Sequence, residues 1–139
     1  MARWLVVFIR RSGGQPQVSA QLAVQAAERP DLRDVLAWID EHIERDLSLP
    51  VLARRLSMSV RNFARVFREE TGATPARYVE RVRLEAARRF LEGSKKSVEA
   101  VAMATGFASP EALRRAFARQ VGMSPSEYRA RLAGGAPRG

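Results

Sequence analysis

A chain of 139 residues, 46% of them hydrophobic, can bury one modest core or two small ones. It has no cysteine, which removes disulfides, thiolate nucleophiles and cysteine metal sites and suits a reducing compartment. The net charge of +9 favours polyanionic partners, and no apolar run approaches the ~20 residues that span a bilayer.

In chain order, residues 1–30 do not read as a complete domain. Trp4 to Ile9 form a short apolar stretch followed by Arg10 and Arg11, with no small-residue cleavage site after it. Ser12 to Ser19, with Gly13, Gly14 and Pro16, reads as a linker, and Gln21 to Glu28 as a weak Ala-rich helix ending near Pro30. From Asp31 the period becomes helical, with Leu32, Val35, Leu36, Ile39 and Ile43 on one face. Asp31 and Asp34 suit the positive N-terminus of that helix.

Ser48 is expected to cap a short helix carrying Leu49, Leu52, Ala53 and Leu56. A turn over Ser57 to Ser59 leads into a second helix with Phe63, Val66 and Phe67 inward. Short helix, tight turn and second helix make a helix-turn-helix. Pro75 to Glu92 contains no breaker, so these eighteen residues predict one helix of ~27 Å. Apolar residues lie on more than one side of it, so it is expected to pack against both of its neighbours and set their separation. The pattern then returns: Ser97 caps Val98, Val101 and Ala102, Gly106 makes the turn, and Ser109–Pro110 opens a helix with Leu113 and Phe117. A last helix runs from Ser124 to about Leu132, and residues 134–139 read as a disordered tail.

The return is a duplication. Phe67, Gly72, Thr74, Pro75 and Tyr78 match Phe117, Gly122, Ser124, Pro125 and Tyr128 as F-x4-G-x-[ST]-P-x-x-Y. Upstream, Arg65 pairs with Arg115 and Phe63 with Leu113 at an offset of fifty. Met58 with Phe107, Ala53 with Ala102, and Leu49 with Val98 follow at forty-nine. Every motif residue has a physical role. Glycine ends a helix in the left-handed conformation, Ser or Thr caps the next, and proline sits at its first position. Glu127, three after Ser124, completes a capping box that the first copy, with Arg77, lacks.

Charge follows the same division. Residues 31–46 hold six acids against two arginines, net −4; residues 47–93 hold ten bases against five acids, and 94–139 eight against three, each net +5. Arginine dominates lysine, which suits bidentate recognition of phosphate and guanine. A solvated, arginine-rich surface is the bland alternative. Major-groove faces on one side of B-DNA recur about every 34 Å. A stiff helix near that length can hold two reading helices in adjacent grooves.

Residues from about 33 to 132 resemble the AraC/XylS-type DNA-binding domain, and Gly106 to Tyr128, G-F-x-S-x-x-x-L-x-R-x-F-x4-G-x-S-P-x-x-Y, resembles that family's signature. The resemblance implies an all-α, homeodomain-like fold of seven helices: two helix-turn-helix subdomains (31–75 and 94–133) joined by a long central helix (75–93). Residues 1–30, with L-V-V-F-I-R-R-S-G-G-Q, are similar to the junction in regulators that carry a PfpI-type amidotransferase-like domain upstream. They are expected to be the remnant of such a domain.

By this resemblance the second helix of each unit enters the major groove of double-stranded DNA. The first recognition helix would span Ser59 to Glu70, with Arg61, Asn62 and Arg65 as base-contact candidates. The second would span Ser109 to Gln120, with Ser109, Glu111, Ala112 and Arg115 as candidates and Arg115 the best reader. Arg114 is expected on its exposed side. For Arg65 and Arg115 the alternative is a surface salt bridge, and Glu111 either accepts from cytosine or stabilises its helix N-terminus. Ser59, Arg68, Arg77, Arg81, Lys95, Lys96 and Arg114 are phosphate-contact candidates, which set register rather than specificity. Ser57 stands where the family's first turn often has glycine, so a left-handed residue there costs roughly 1 kcal/mol.

The expected function is therefore a sequence-specific transcriptional regulator in the cytoplasm, with no cofactor or metal. Activation, contact with RNA polymerase and dimerisation through the upstream domain are further implications of the resemblance. An enzyme is the first rival, but the single histidine, His42, has no nucleophile or metal cluster beside it. Alkyltransferases with a similar module need acceptor cysteines. A non-specific architectural or RNA-binding protein is the second rival, against which nearly every aromatic falls on a core-facing position.

Inserting four residues near Arg83 is expected to rotate one unit out of phase and abolish high-affinity DNA binding. A gel-shift titration that finds the affinity unchanged counts against two-groove reading.

Overall fold

The structure, a computed structural model, describes residues 29–134; the expectations for the N-terminal segment and for the tail beyond Gly134 lie outside them. The described residues form seven α-helices and no strand: α1 (Pro30–Glu41), α2 (Leu49–Arg55), α3 (Val60–Thr71), α4 (Pro75–Gly93), α5 (Val98–Ala104), α6 (Pro110–Val121) and α7 (Pro125–Ala133). The chain divides into two compact units between Val82 and Arg83, inside α4. The central helix is therefore shared between the units.

In the first unit α2 packs on α3. Leu32, Leu36, Ile39, Leu52, Phe63, Phe67 and Tyr78 are fully buried, so α1 contributes the inward face that its period predicts. The helix stops earlier than that period suggests. His42 turns its backbone N–H to the Ile39 carbonyl, and its ring Nδ1 lies 2.8 Å from the Trp38 carbonyl oxygen that a continuing helix would bond. Ile43 is thus left half-buried outside the helix, and Leu47, four residues on, is buried.

Ser48 does not cap α2 with its side chain. Pro50, in the first turn, has no N–H to offer, and the Ser48 backbone N–H donates to Asp46 Oδ1 at 3.0 Å. Ser59 does cap α3, accepting from the Asn62 N–H at 3.1 Å. At the end of α3, Gly72 takes φ 83°, and Thr74 Oγ1 accepts from the Arg77 N–H at 3.2 Å to open α4.

The second unit repeats these devices. Its α5 packs on α6 and α6 on α7, around fully buried Leu84, Ala87, Val101, Leu113 and Phe117. Ser97 and Ser109 accept from the N–H groups of Ala100 and Ala112. Gly122 sits at φ 90°, and the Ser124–Glu127 capping box is complete in both directions.

The turns inside the two helix-turn-helix pairs differ at one residue. Gly106 has φ 86°, and Ser57, its counterpart, has φ 56°, the one positive φ among the described residues other than glycine. Replacing Ser57 by Gly is expected to raise stability by up to about 1 kcal/mol. Gly122→Ala, with open space around the added carbon but φ 90°, lowers it by about the same. Urea unfolding of both variants measures the two shifts.

Candidate nucleic-acid interface

Each candidate recognition helix is held from beneath by its own apolar face. On α3, Phe63, Val66 and Phe67 are buried; on α6, Leu113, Ala116 and Phe117 are. Residues 61–70 and 111–120 run through the same order of exposed, half-buried and buried positions. The outward residues therefore correspond pair by pair: Arg61 with Glu111, Asn62 with Ala112, Ala64 with Arg114, Arg65 with Arg115, Arg68 with Ala118, and Glu69 with Arg119. One scaffold presents two different side-chain sets.

On α3 the predicted candidates come together. Ser59, Arg61, Arg65 and Arg68 are exposed and Asn62 is half-buried. The Ser59 oxygen is occupied by its cap, which leaves the hydroxyl proton to donate. Arg65 is engaged from both sides: Nη1 donates to the Glu69 carboxylate at 3.1 Å, and Nη2 to Asn62 Oδ1 at 2.6 Å. The salt-bridge alternative weighed for Arg65 is thus formed. It does not exclude DNA contact, because exposed pairs of this kind hold by less than about 1 kcal/mol and can be exchanged.

On α6 the arrangement is looser. Glu111 and Arg115 are exposed, Ala112 is half-buried, and Ser109 is occupied as a cap. Arg114, expected to be exposed, keeps its side chain 42% exposed but engages it in ion pairs. Its Nη2 lies 3.2 Å from Glu99 and its Nη1 3.6 Å from Glu111. Arg114 thereby ties α6 to α5 and holds the Glu111 carboxylate. Arg61, Arg68 and Arg115 make no ion pair or side-chain hydrogen bond among the described residues.

The remaining phosphate candidates separate into two groups. Arg77, in the first turn of α4, and Lys95 and Lys96, in the loop after it, are exposed. Arg81 is 2% exposed, which contradicts its expected place on the surface. Its position on α4 turns it inward with Tyr78 and Val82, and burial, followed by the neighbouring Arg77 charge, lowers its pKa.

Arg129 braces the candidate surface in a way that the sequence reading missed. Its guanidinium donates to the carbonyls of Leu91 (3.4 Å), Ser94 (3.1 Å) and Lys96, and so fixes the loop that presents Lys95 and Lys96. The available signal was the replacement of Val79 in the first copy by Arg129 in the second. Beside it, the Tyr128 hydroxyl bonds the Glu92 carboxylate, and burial first, then this bond, raises the tyrosine pKa.

His42 stacks on Trp38 with ring centroids 4.5 Å apart, and Arg55 lies over the Trp38 ring at 4.1 Å. Among the described residues no group of His, Asp or Glu is arranged to hold a metal, and no helix is long and apolar enough to cross a membrane.

A family described as a helix-turn-helix domain matches residues 52–131. Regulatory protein SoxS of Escherichia coli is 36% identical over 101 residues, which cover 73% of this chain and 94% of SoxS. The chain belongs to the AraC-type helix-turn-helix family. An HTH-type transcriptional regulator of Mycobacterium tuberculosis is 54% identical over 78 residues, 56% of this chain and 30% of that protein. The chain thus spans about a third of the length of such longer relatives. Among solved structures, the DNA-binding domain of AdpA in complex with a target DNA superposes with a TM-score of 0.73 at 43% identity, over 78% of this chain and 98% of that one. An AraC-type regulator from Chromobacterium violaceum gives 0.69 at 28% identity, over 80% and 99%. The all-helical AraC-type fold expected from the sequence is the one observed.

The burial of Arg81 has a measurable consequence. Arg81→Ala is expected to lower stability by about 1–3 kcal/mol through lost packing. The same variant leaves the salt dependence of DNA binding unchanged, whereas Lys95→Ala reduces its slope by about one. Urea melts and binding titrations over a salt series separate the two.

Proposed function

We propose that this module is a sequence-specific, double-stranded-DNA-binding transcriptional regulator that reads the major groove with α3 and α6. The single observation that carries this is the matched presentation of the two helices, each buried by the same apolar positions and each offering unpaired arginine outward. The likeness to the AdpA domain, whose structure is described as a complex with target DNA, supports it. SoxS and the Mycobacterium relative are described as regulators, which supports a role in transcription rather than catalysis.

Arg61, Asn62 and Arg65 on α3, and Ser109, Glu111, Ala112 and Arg115 on α6, form the proposed base-reading sets. Ser59, Arg68, Arg77, Lys95 and Lys96 face the phosphates, which fix orientation. Two adjacent major-groove segments are the proposed target, from the fifty-residue period of the chain and the unbroken run of α4. An upstream PfpI-type domain, contact with RNA polymerase, dimerisation through that upstream domain and a cytoplasmic location belong to the same reading.

Selection of binding sites from random duplex DNA at stated salt tests it. A bipartite consensus is the expected outcome; the absence of enrichment favours non-specific architectural binding. On the selected duplex, Arg65→Ala and Arg115→Ala are each expected to cost about 1–3 kcal/mol and to relax base preference at one position. Equal losses on every duplex assign these arginines to phosphates.

A further inference from the structure

On the exposed face of α3, Asn62, Arg65 and Glu69 form one connected row. Both Glu69 carboxylate oxygens accept from Arg65 Nη1, at 3.1 and 3.2 Å, and Arg65 Nη2 donates to Asn62 Oδ1. A guanidinium only donates, so its bond to Asn62 fixes which way that amide lies: the oxygen toward Arg65 and the NH2 group away from it. The row therefore sets the direction of two proposed base readers at once.

Nothing equivalent exists on α6. At the corresponding positions stand Ala112, Arg115 and Arg119, so both acceptors are missing and a second cation replaces the carboxylate. Arg115 has no bond to hold it among the described residues, while the side chain that is tied down there, Arg114, is braced to Glu99 and Glu111.

A carboxylate on a helix face that meets a polyanion repels it whatever the base sequence. Nor does the pair account for the fold, since both Arg65 and Glu69 are 59% exposed and such pairs contribute little to stability. Orientation is the property that remains. A long, flexible side chain loses rotamer freedom when it binds, and one already held in place loses less.

We propose that Glu69 is a positioning residue that, with Asn62 as the second brace, presets Arg65 for base reading and trades general affinity for discrimination. This rests on the DNA-reading function proposed above.

The test uses the 139-residue chain, the duplex it selects from random DNA, single-base variants of that duplex and one unrelated duplex. Arg65→Ala first maps the base pair that depends on Arg65. Glu69→Gln is then expected to keep the thermal midpoint and bind the unrelated duplex more tightly. It should also lower discrimination at that mapped base pair by about threefold or more. In the Arg65→Ala background the same substitution leaves discrimination unchanged. If Glu69→Gln tightens binding to every duplex equally, Glu69 is a surface charge only and the positioning role is overturned. If the wild-type chain enriches no duplex, the DNA-reading function falls instead, and the proposal with it.

Discussion

The outward faces of α3 and α6 depend on an aromatic contact at the corner behind each helix. Phe67 meets Tyr78 at 5.9 Å between centroids, and Phe117 meets Tyr128 at 5.3 Å, both inclined rather than parallel. Such inclined pairs contribute about 0.5–1.5 kcal/mol beyond the area they bury. Their larger effect is geometric. One ring sits in the last turns of α3 or α6 and the other in the first turn of the next helix, so the contact fixes the angle between the two. The left-handed glycine, the Ser or Thr cap and the proline between them leave the chain few other ways around the corner. A rigid corner is what lets exposed side chains a few residues upstream have defined positions.

The two units apply that constraint with different chemistry. At the first corner both Tyr78 and Val79 are buried. Tyr128 is only half-buried; its hydroxyl reaches Glu92, Arg88 lies over its ring at 5.4 Å, and Arg129 reaches one carbonyl in the last turn of α4 and two in the loop after it. The second corner is therefore a polar clasp. It suits an element with only α7 behind it, because directional bonds to backbone carbonyls replace apolar area that a nine-residue helix cannot supply. The first unit has α1 as a further layer, with four buried residues.

Much of the fold could be read from the residues because the signals were local. Period, caps and left-handed glycines act within a turn or two, and the helices at 60–71, 75–93 and 110–121 match expectation to within a residue. What failed was decided by particular neighbours, near or distant, rather than by period. Ser48 looked like a cap, but Pro50 and Asp46 redirected its bonding. Arg81 looked like a surface charge, yet its place on α4 turns it inward, and no rule based on residue type alone detects a buried arginine. Arg114 faces outward, but its pairing with Glu99, fifteen residues earlier, was not foreseen. Arg129 could be found only by asking why the copies differ at positions 79 and 129. The candidate site was thus legible as a surface, but the pairing among its charges was not.

That difference follows from how the two layers of α3 and of α6 are constrained. A residue such as Phe63 or Leu113 is held by many neighbours, so truncating it carries the large cost of a core cavity. Outward positions such as 61, 65 and 69, with 111, 115 and 119 in the second unit, are exposed, and substitutions there usually change stability by less than about 0.5 kcal/mol. The inward pattern has to be the same in both copies for both to fold the same way, and it is. The outward one need not be: Arg, Arg and Glu in one unit stand where the other has Glu, Arg and Arg. Under the proposed reading this separation has a functional consequence. Base preference can be altered one exposed side chain at a time while the corner, the cap and the aromatic pair keep aiming the helix.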